Sequence, residues 1–150
     1  MKKLKVLSLI FACCFLLVGC GDNQVLSCTI NQEQNGLNMD QTVDVTFSGN
    51  QVTNVKMTVD SEATDDTIKI NWDAFAKMLD EQYPDSNKNG IKVTKENSKD
   101  DFTYKISIDV DVKKASDDDL ADYNLSGLAD AEGTYDSVKK QAEKSGFTCK

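Results

Sequence analysis

Cys20, Cys28 and Cys149 are the residues of this chain whose type and position most constrain its chemistry. Cys20 closes the tetrapeptide Leu17-Val18-Gly19-Cys20, at the end of the apolar run Val6 to Val18 that follows Lys2, Lys3 and Lys5. A cationic start, an apolar core and a small residue before a cysteine are the parts of an export signal ending in a lipobox. At such a site a diacylglyceryl group is attached to the cysteine thiol and the chain is cut just before it. The apolar core is 13 residues long, whereas a spanning helix needs about 20. Residues 1–19 are therefore expected to leave as a signal peptide, and Cys13 and Cys14, small hydrophobes within its core, leave with them.

Acylation of Cys20 leaves Cys28 and Cys149 as the remaining thiols. Two thiols in a compartment that permits oxidation predict a disulfide. The pairing requires the strand-like Phe147-Thr148-Cys149 to return beside Val25 to Ile30. No C-x-x-C spacing is present to suggest a reactive redox pair.

Carboxylates supply two further candidates. Asp85-Ser86-Asn87-Lys88-Asn89-Gly90 followed by Glu96 matches a calcium-loop pattern residue for residue. Two ligand positions are acidic, however, and Ile91-Lys92-Val93-Thr94 reads as a strand where a calcium loop would open a helix. The same residue types also build an ordinary helix-to-strand turn. Asp117-Asp118-Asp119 after Ser116 suits a cation or paired carboxylates, and equally the first turn of a helix, where acids complement the dipole. No metal and no cofactor is assigned to either stretch.

The chain of 150 residues contains no His and no Arg. The usual general base, the usual imidazole metal ligand and the bidentate phosphate clamp are missing together. Formal charge is −8 for the whole chain, and losing Lys2, Lys3 and Lys5 with the signal takes it to −11. So acidic a surface disfavours nucleic acid and a basic-patch attachment to lipid, leaving the acyl chains on Cys20 as the link to the membrane.

The elements that must position these residues follow from periodicity. Residues 20–24 read as a lipidated cysteine and polar tether, and residues 25–150 as a single domain. In Val25 to Ile30, alternation places Leu26, Cys28 and Ile30 on one face. Thr42 to Phe47 alternates cleanly, and Ser48-Gly49-Asn50-Gln51 turns the chain into a strand carrying Val55, Met57 and Val59. These three strands form a meander. The period then becomes 3.6, with Trp72, Phe75, Ala76, Leu79 and Tyr83 on one helical stripe. Asn71 is expected as N-cap, Ile70 and Phe75 as a hydrophobic staple, and Pro84 as the stop. Trp72 is read as core.

Phe102 to Val112 is the clearest strand, expected at the centre of the buried sheet face, with Ile91 to Glu96 paired to it as a hairpin. Ser116 to Asp119 starts a short helical turn, leading into a loop through Gly127 and Gly133. A last helix has Thr134 as N-cap, Val138 and Ala142 inward, and Gly146 at its C-terminal end. The predicted class is α+β: an antiparallel sheet of about five strands with two main helices packed on one face.

This order of elements, with the closing segment Val138-Lys139-Lys140-Gln141-Ala142-Glu143-Lys144-Ser145-Gly146-Phe147, resembles the YehR-like family of small bacterial lipoproteins of unknown function. The likeness spans roughly Val25 to Lys150. It implies an α+β domain held outside the cytoplasmic membrane and contributes no catalytic residues. Residues Asp85 to Asn89 look like a longer turn than that family carries.

Two functional expectations remain. One is a membrane-anchored, extracytoplasmic binding or interaction module, a monomer, whose polar sheet face or Gly127–Gly133 loop meets a small ligand, a peptide or an envelope protein. The other is a carboxylate-dependent envelope hydrolase of glycosidase type, which needs two carboxyl groups about 5–10 Å apart.

Overall fold

The structure, a computed structural model, describes residues 23–121, 123 and 133–150. Three long strands come first: β1 (Asn23–Gln34), β2 (Leu37–Ser48) and β3 (Gln51–Ala63). Helices α1 (Asp66–Ile70) and α2 (Trp72–Gln82) follow, then β4 (Asn87–Lys88), β5 (Ile91–Ser98) and β6 (Thr103–Asp111). The chain ends with α3 (Asp117–Ala121), α4 (Tyr135–Lys144) and β7 (Thr148–Cys149).

All strands join one sheet in the order β4-β5-β6-β3-β2-β1-β7, with every neighbouring pair antiparallel. The α+β class and antiparallel sheet agree with the sequence pattern; the strand number does not. Five strands are long and two, β4 and β7, are two-residue ladders at the edges, too short to show a period. β1, β2, β3 and β5 also outrun their predicted limits, whereas β6 stops one residue short of its own at each end. β2 begins at Leu37, where Gln41 takes an inward register position in place of an apolar residue and hides the alternation.

One face of the sheet is apolar. Tyr104, Ile106, Ile108 and Val110 of β6 are buried, opposite Ser61, Val59, Met57 and Val55 of β3. β6 therefore carries much of the buried face as predicted, while β3 is the geometric middle of the sheet. Two apolar clusters lie on this face. Trp72, Ala76, Leu120 and Tyr123 cover β5, β6 and the end of β3; Tyr135, Val138, Ala142 and Phe147 cover Leu26, Cys28, Val45, Phe47, Val52 and Val55.

Helix α2 carries the predicted stripe, with Trp72 and Ala76 buried and Phe75, Leu79 and Tyr83 packed against the same cluster. Its indole Nε1–H donates to Asn97 Oδ1 at 3.0 Å, which satisfies the one polar atom of a core Trp. The helix starts at Trp72 with Asn71 in the N-cap position, as predicted, but a short helix precedes it. Helical structure begins at α1, where Asp65 is the N-cap and its Oδ1 accepts the Thr67 amide at 2.7 Å. Asn71 joins the two helices, as C-cap of α1 and N-cap of α2, and its side chain turns back to donate to Thr67 O rather than capping α2. Ile70 is 84% exposed, so the staple with Phe75 is absent. A five-residue helix is too short to announce itself by period.

At the other end, Thr134 caps α4 by accepting the Ser137 amide. Gly146, at φ +93°, closes the helix. Phe147 N–H reaches Ala142 O and Gly146 N–H reaches Glu143 O, the paired bonds of a Schellman motif. This turn feeds β7 onto β1, where Ser27 and Lys150 exchange both backbone hydrogen bonds. Cys28 and Cys149 then form the adjacent non-hydrogen-bonded pair, the register that brings side chains closest. Their Cα atoms are 4.0 Å apart and the sulfurs are bonded at 2.02 Å. The Gly127–Gly133 loop lies outside the described residues except for Gly133.

Candidate functional site

The second face of the sheet is polar apart from the exposed Val25 of β1, and no described helix packs on it. Pairing register aligns its side chains in rows that cross the strands. The middle row consists of hydroxyls: Thr148, Thr29, Thr42, Thr58, Ser107 and Thr94, each the direct partner of the next. Six strands at about 4.8 Å spacing make this row about 24 Å long.

Charged and amide rows lie on either side, two residues away along each strand. One runs Asn31, Asp40, Asp60, Lys105, Glu96. The other runs Ser27, Asp44, Lys56, Asp109, Lys92, Asn87, alternating in sign over its four charged members. Cross-strand partners of this kind stabilise a solvated sheet face. Asn31 Nδ2 donates to Asn38 and Asp40 at 2.9 and 2.8 Å. Asn54 donates to Asp109 at 2.7 Å, and Lys105 sits 3.4 Å from Asp60.

The first of these rows borders a shallow recess of about 410 Å³. Asn38, Asp40, Asp60, Glu62, Glu96, Ser98, Thr103 and Lys105 line it from the polar face. Four carboxylates face one ammonium there. The recess can accept hydrogen bonds and oppose positive charge.

Beneath α2, the opposite face holds a second polar group that periodicity did not reveal. Tyr104 donates a short hydrogen bond to Asp80. Lys95 Nζ lies 3.1 Å from both Asp80 and Asp85. Burial first, and then the bond to Asp80, push the Tyr104 phenol above its ordinary value. The Tyr104 bond, followed by Lys95, holds the Asp80 carboxyl below the carboxylate range. Burial would lower Lys95, but its two carboxylate partners outweigh that and raise it. The signal was present in β5, whose inward positions run Ile91, Val93, Lys95, Asn97. Polar residues at the last two mark where α2 presents Asp80 and the Trp72 indole. The group ties helix to sheet.

The calcium-loop residues do not converge. Asn89 and Gly90, at φ +53° and +77°, form the two-residue turn joining β4 to β5, as the type I′ hairpin requires. Asp85 pairs with Lys95 on the helix side, Asn89 donates to Asp119, and Glu96 faces the opposite side of the sheet beside Lys105. Among the described residues, no group of three or more Cys, Asp or Glu side chains is placed to hold a metal. Asp119 bonds Ser116, whose hydroxyl accepts the Asp119 amide, so the aspartate run opens α3 by cap chemistry. Cys20 lies outside the described residues. No helix among those described is long and apolar enough to cross a membrane.

No protein-family model matches the chain, and no curated protein matches it. Solved structures do. An NMR structure of a protein from Streptococcus pneumoniae TIGR4 superposes with a TM-score of 0.57 at 12% identity, over 85% of each chain. The NMR structure of YehR from Escherichia coli gives 0.51 at 16% identity, over 85% of this chain and 91% of that one. The YehR resemblance read from the order of elements therefore holds at the level of fold.

Proposed function

We propose that this chain is an extracytoplasmic lipoprotein, anchored in the cell membrane by a diacylglyceryl group on Cys20, whose domain is a binding or interaction module. The open face of the sheet is its contact surface. The observation that carries the reading is the hydroxyl row flanked by two charged rows, all directed away from the helices. A solvated sheet face needs alternating polar residues, and threonine pairs across strands stabilise it; the same pairing lines the hydroxyls into one unbroken row across six strands. Such a row presents donors and acceptors together, and the acidic recess at its edge adds charge selection. The partner is a small ligand or an envelope protein, nucleic acid being opposed by the formal charge of −11 that remains once Lys2, Lys3 and Lys5 are lost.

The glycosidase-type alternative finds its best-placed carboxyl pair in Asp40 and Asp60, direct neighbours across β2 and β3. Both are solvent-exposed, whereas the acid of such a pair works from a desolvated pocket. Binding is the better use of this surface. A thermal-shift screen of metabolites and metal ions on the mature domain, repeated with Thr58→Arg, tests it. A ligand that stabilises the native domain should lose its shift in the variant; a shift that survives contradicts the placement of the site on this face.

A further inference from the structure

We infer that the free edge of β5 docks an extended peptide, which adds antiparallel to the sheet and sets a Lys or Arg opposite Glu96; this rests on the domain being an interaction module. β5 is the last long strand on its side, and β4 pairs with it at Ile91 and Lys92 alone. Val93 N–H donates to Ser86 O, away from β6. Backbone groups alternate in direction along a strand, so those of Lys95 and Asn97 also point off the sheet. Neither amide has a hydrogen-bond partner among the described residues.

Unpaired groups of this kind are a template for a further strand, and main-chain bonds to a sheet edge are a recurring way of holding a peptide. Edges are also guarded by charges that point inward. Lys95 has that position, but Asp80 and Asp85 draw its ammonium beneath the sheet at 3.1 Å each. Trp72 holds the Asn97 side chain from the same side. α2 therefore underlies the edge and leaves its backbone groups open. At the opposite edge of the sheet, β7 already pairs with Cys28 and Thr29 and is locked there by the disulfide.

Side chains set the chemistry of the partner. Along the row Asp60, Lys105, Glu96 the sign alternates, and the row ends at the edge on a carboxylate. Lys105 is taken by Asp60 at 3.4 Å, whereas exposed Glu96 has no ion-pair partner among the described residues. A cation directly opposite Glu96 continues the alternation, and opposite charges so placed stabilise a sheet. A hydroxyl opposite Thr94 likewise extends the hydroxyl row. A second copy of this chain fits poorly. In symmetric antiparallel pairing centred on Lys95 or on Glu96 that residue opposes itself, and centred on Asn97 the pairing sets Lys95 against Lys99; like charges directly opposite destabilise. Centred on Thr94, the incoming strand meets β4, which already pairs with Lys92.

The probe is the acetylated and amidated peptide Thr-Val-Lys-Val-Thr, added to the mature chain in detergent micelles, with amide hydrogen exchange followed by NMR. Without it, the Lys95 and Asn97 amides should exchange freely while those of Thr94 and Glu96, directed at β6, are protected. With the peptide in excess, Lys95 and Asn97 should exchange about tenfold more slowly. Glu96→Lys should abolish the slowing, and the peptide carrying Glu in place of its Lys should restore it in that variant. Unchanged exchange at Lys95 and Asn97 overturns the inference, as does slowing that survives Glu96→Lys. Slowing without peptide that grows with protein concentration also overturns it, by making a second copy the occupant. Peptide-induced resonance shifts confined to Thr42, Thr58 and Ser107 overturn the edge as the docking place while leaving the open face as the contact surface.

Discussion

Replacing Cys28 and Cys149 together by alanine tests how the chain ends are held. The bridge spans 121 residues, and in the chain-entropy treatment a loop of that length removes about 16 cal/mol/K from the unfolded ensemble, or about 4.9 kcal/mol at 25 °C. A domain is stable by only about 5–15 kcal/mol, so the loss is a large fraction of the whole. What remains at the edge of β1 is a two-residue ladder and the packing of Tyr135, Val138, Ala142 and Phe147. Urea unfolding followed by Trp72 fluorescence is the assay. The variant should lose about 3–5 kcal/mol and show a larger m-value, because the uncrosslinked chain exposes more surface when unfolded. A variant within about 1 kcal/mol of the native protein would refute the reasoning. So would alkylation of both thiols in denatured, unreduced native protein.

Gly36 sits at φ +79°, and a Cβ there would lie 2.2 Å from Asp65 Cβ. Gly36→Ala should therefore cost at least about 2 kcal/mol, whereas Gly49→Ala, with open space around it, should cost only about 1 kcal/mol; equal losses by urea melt would contradict the role given to the Gly36–Asp65 contact. Trp72→Phe removes the indole donor to Asn97 and leaves a void, for a loss of about 1–3 kcal/mol. Tyr104→Phe probes the group under α2 through pH. A folded-state value raised above 10.0 gives stability that is complete below pH 10.0 and fades as pH rises through the folded value. Asp80, lowered from 3.8, gives stability present above that pH and lost as pH falls. Melting temperature should thus decline less steeply in the variant on both the alkaline and acid sides, and parallel profiles would count against the Tyr104–Asp80 bond.

What could be read from the residues depended on how local the signal was. Alternation in Leu26, Cys28 and Ile30 and in Tyr104 to Val110 marked the buried face because each strand buries one side. The caps Thr134 and Gly146 marked α4 because their bonds close within a few residues. The Cys28–Cys149 bridge was legible from counting the thiols left when residues 1–20 are read as an export signal and its acylated cysteine. The hydroxyl row was not, since Thr29, Thr42, Thr58, Thr94 and Ser107 become neighbours only when register is known. Likewise Lys95 looks like a surface lysine until α2 is laid across β5 and supplies Asp80. Asn71 marked the start of α2 correctly, but its side chain bonds back to Thr67 O because α1, too short to show a period, ends there.

Cys20 decides whether the domain is a lipoprotein. Intact-mass analysis of the protein extracted from bacterial membranes, alongside Cys20→Ser, is the most direct measurement. The expected result is a native chain beginning at Cys20 and heavier than its peptide by a diacylglyceryl group, and a variant that keeps residues 1–19 and gains no lipid. A native chain without that added mass, or a variant that is still cut and lipidated, would contradict it.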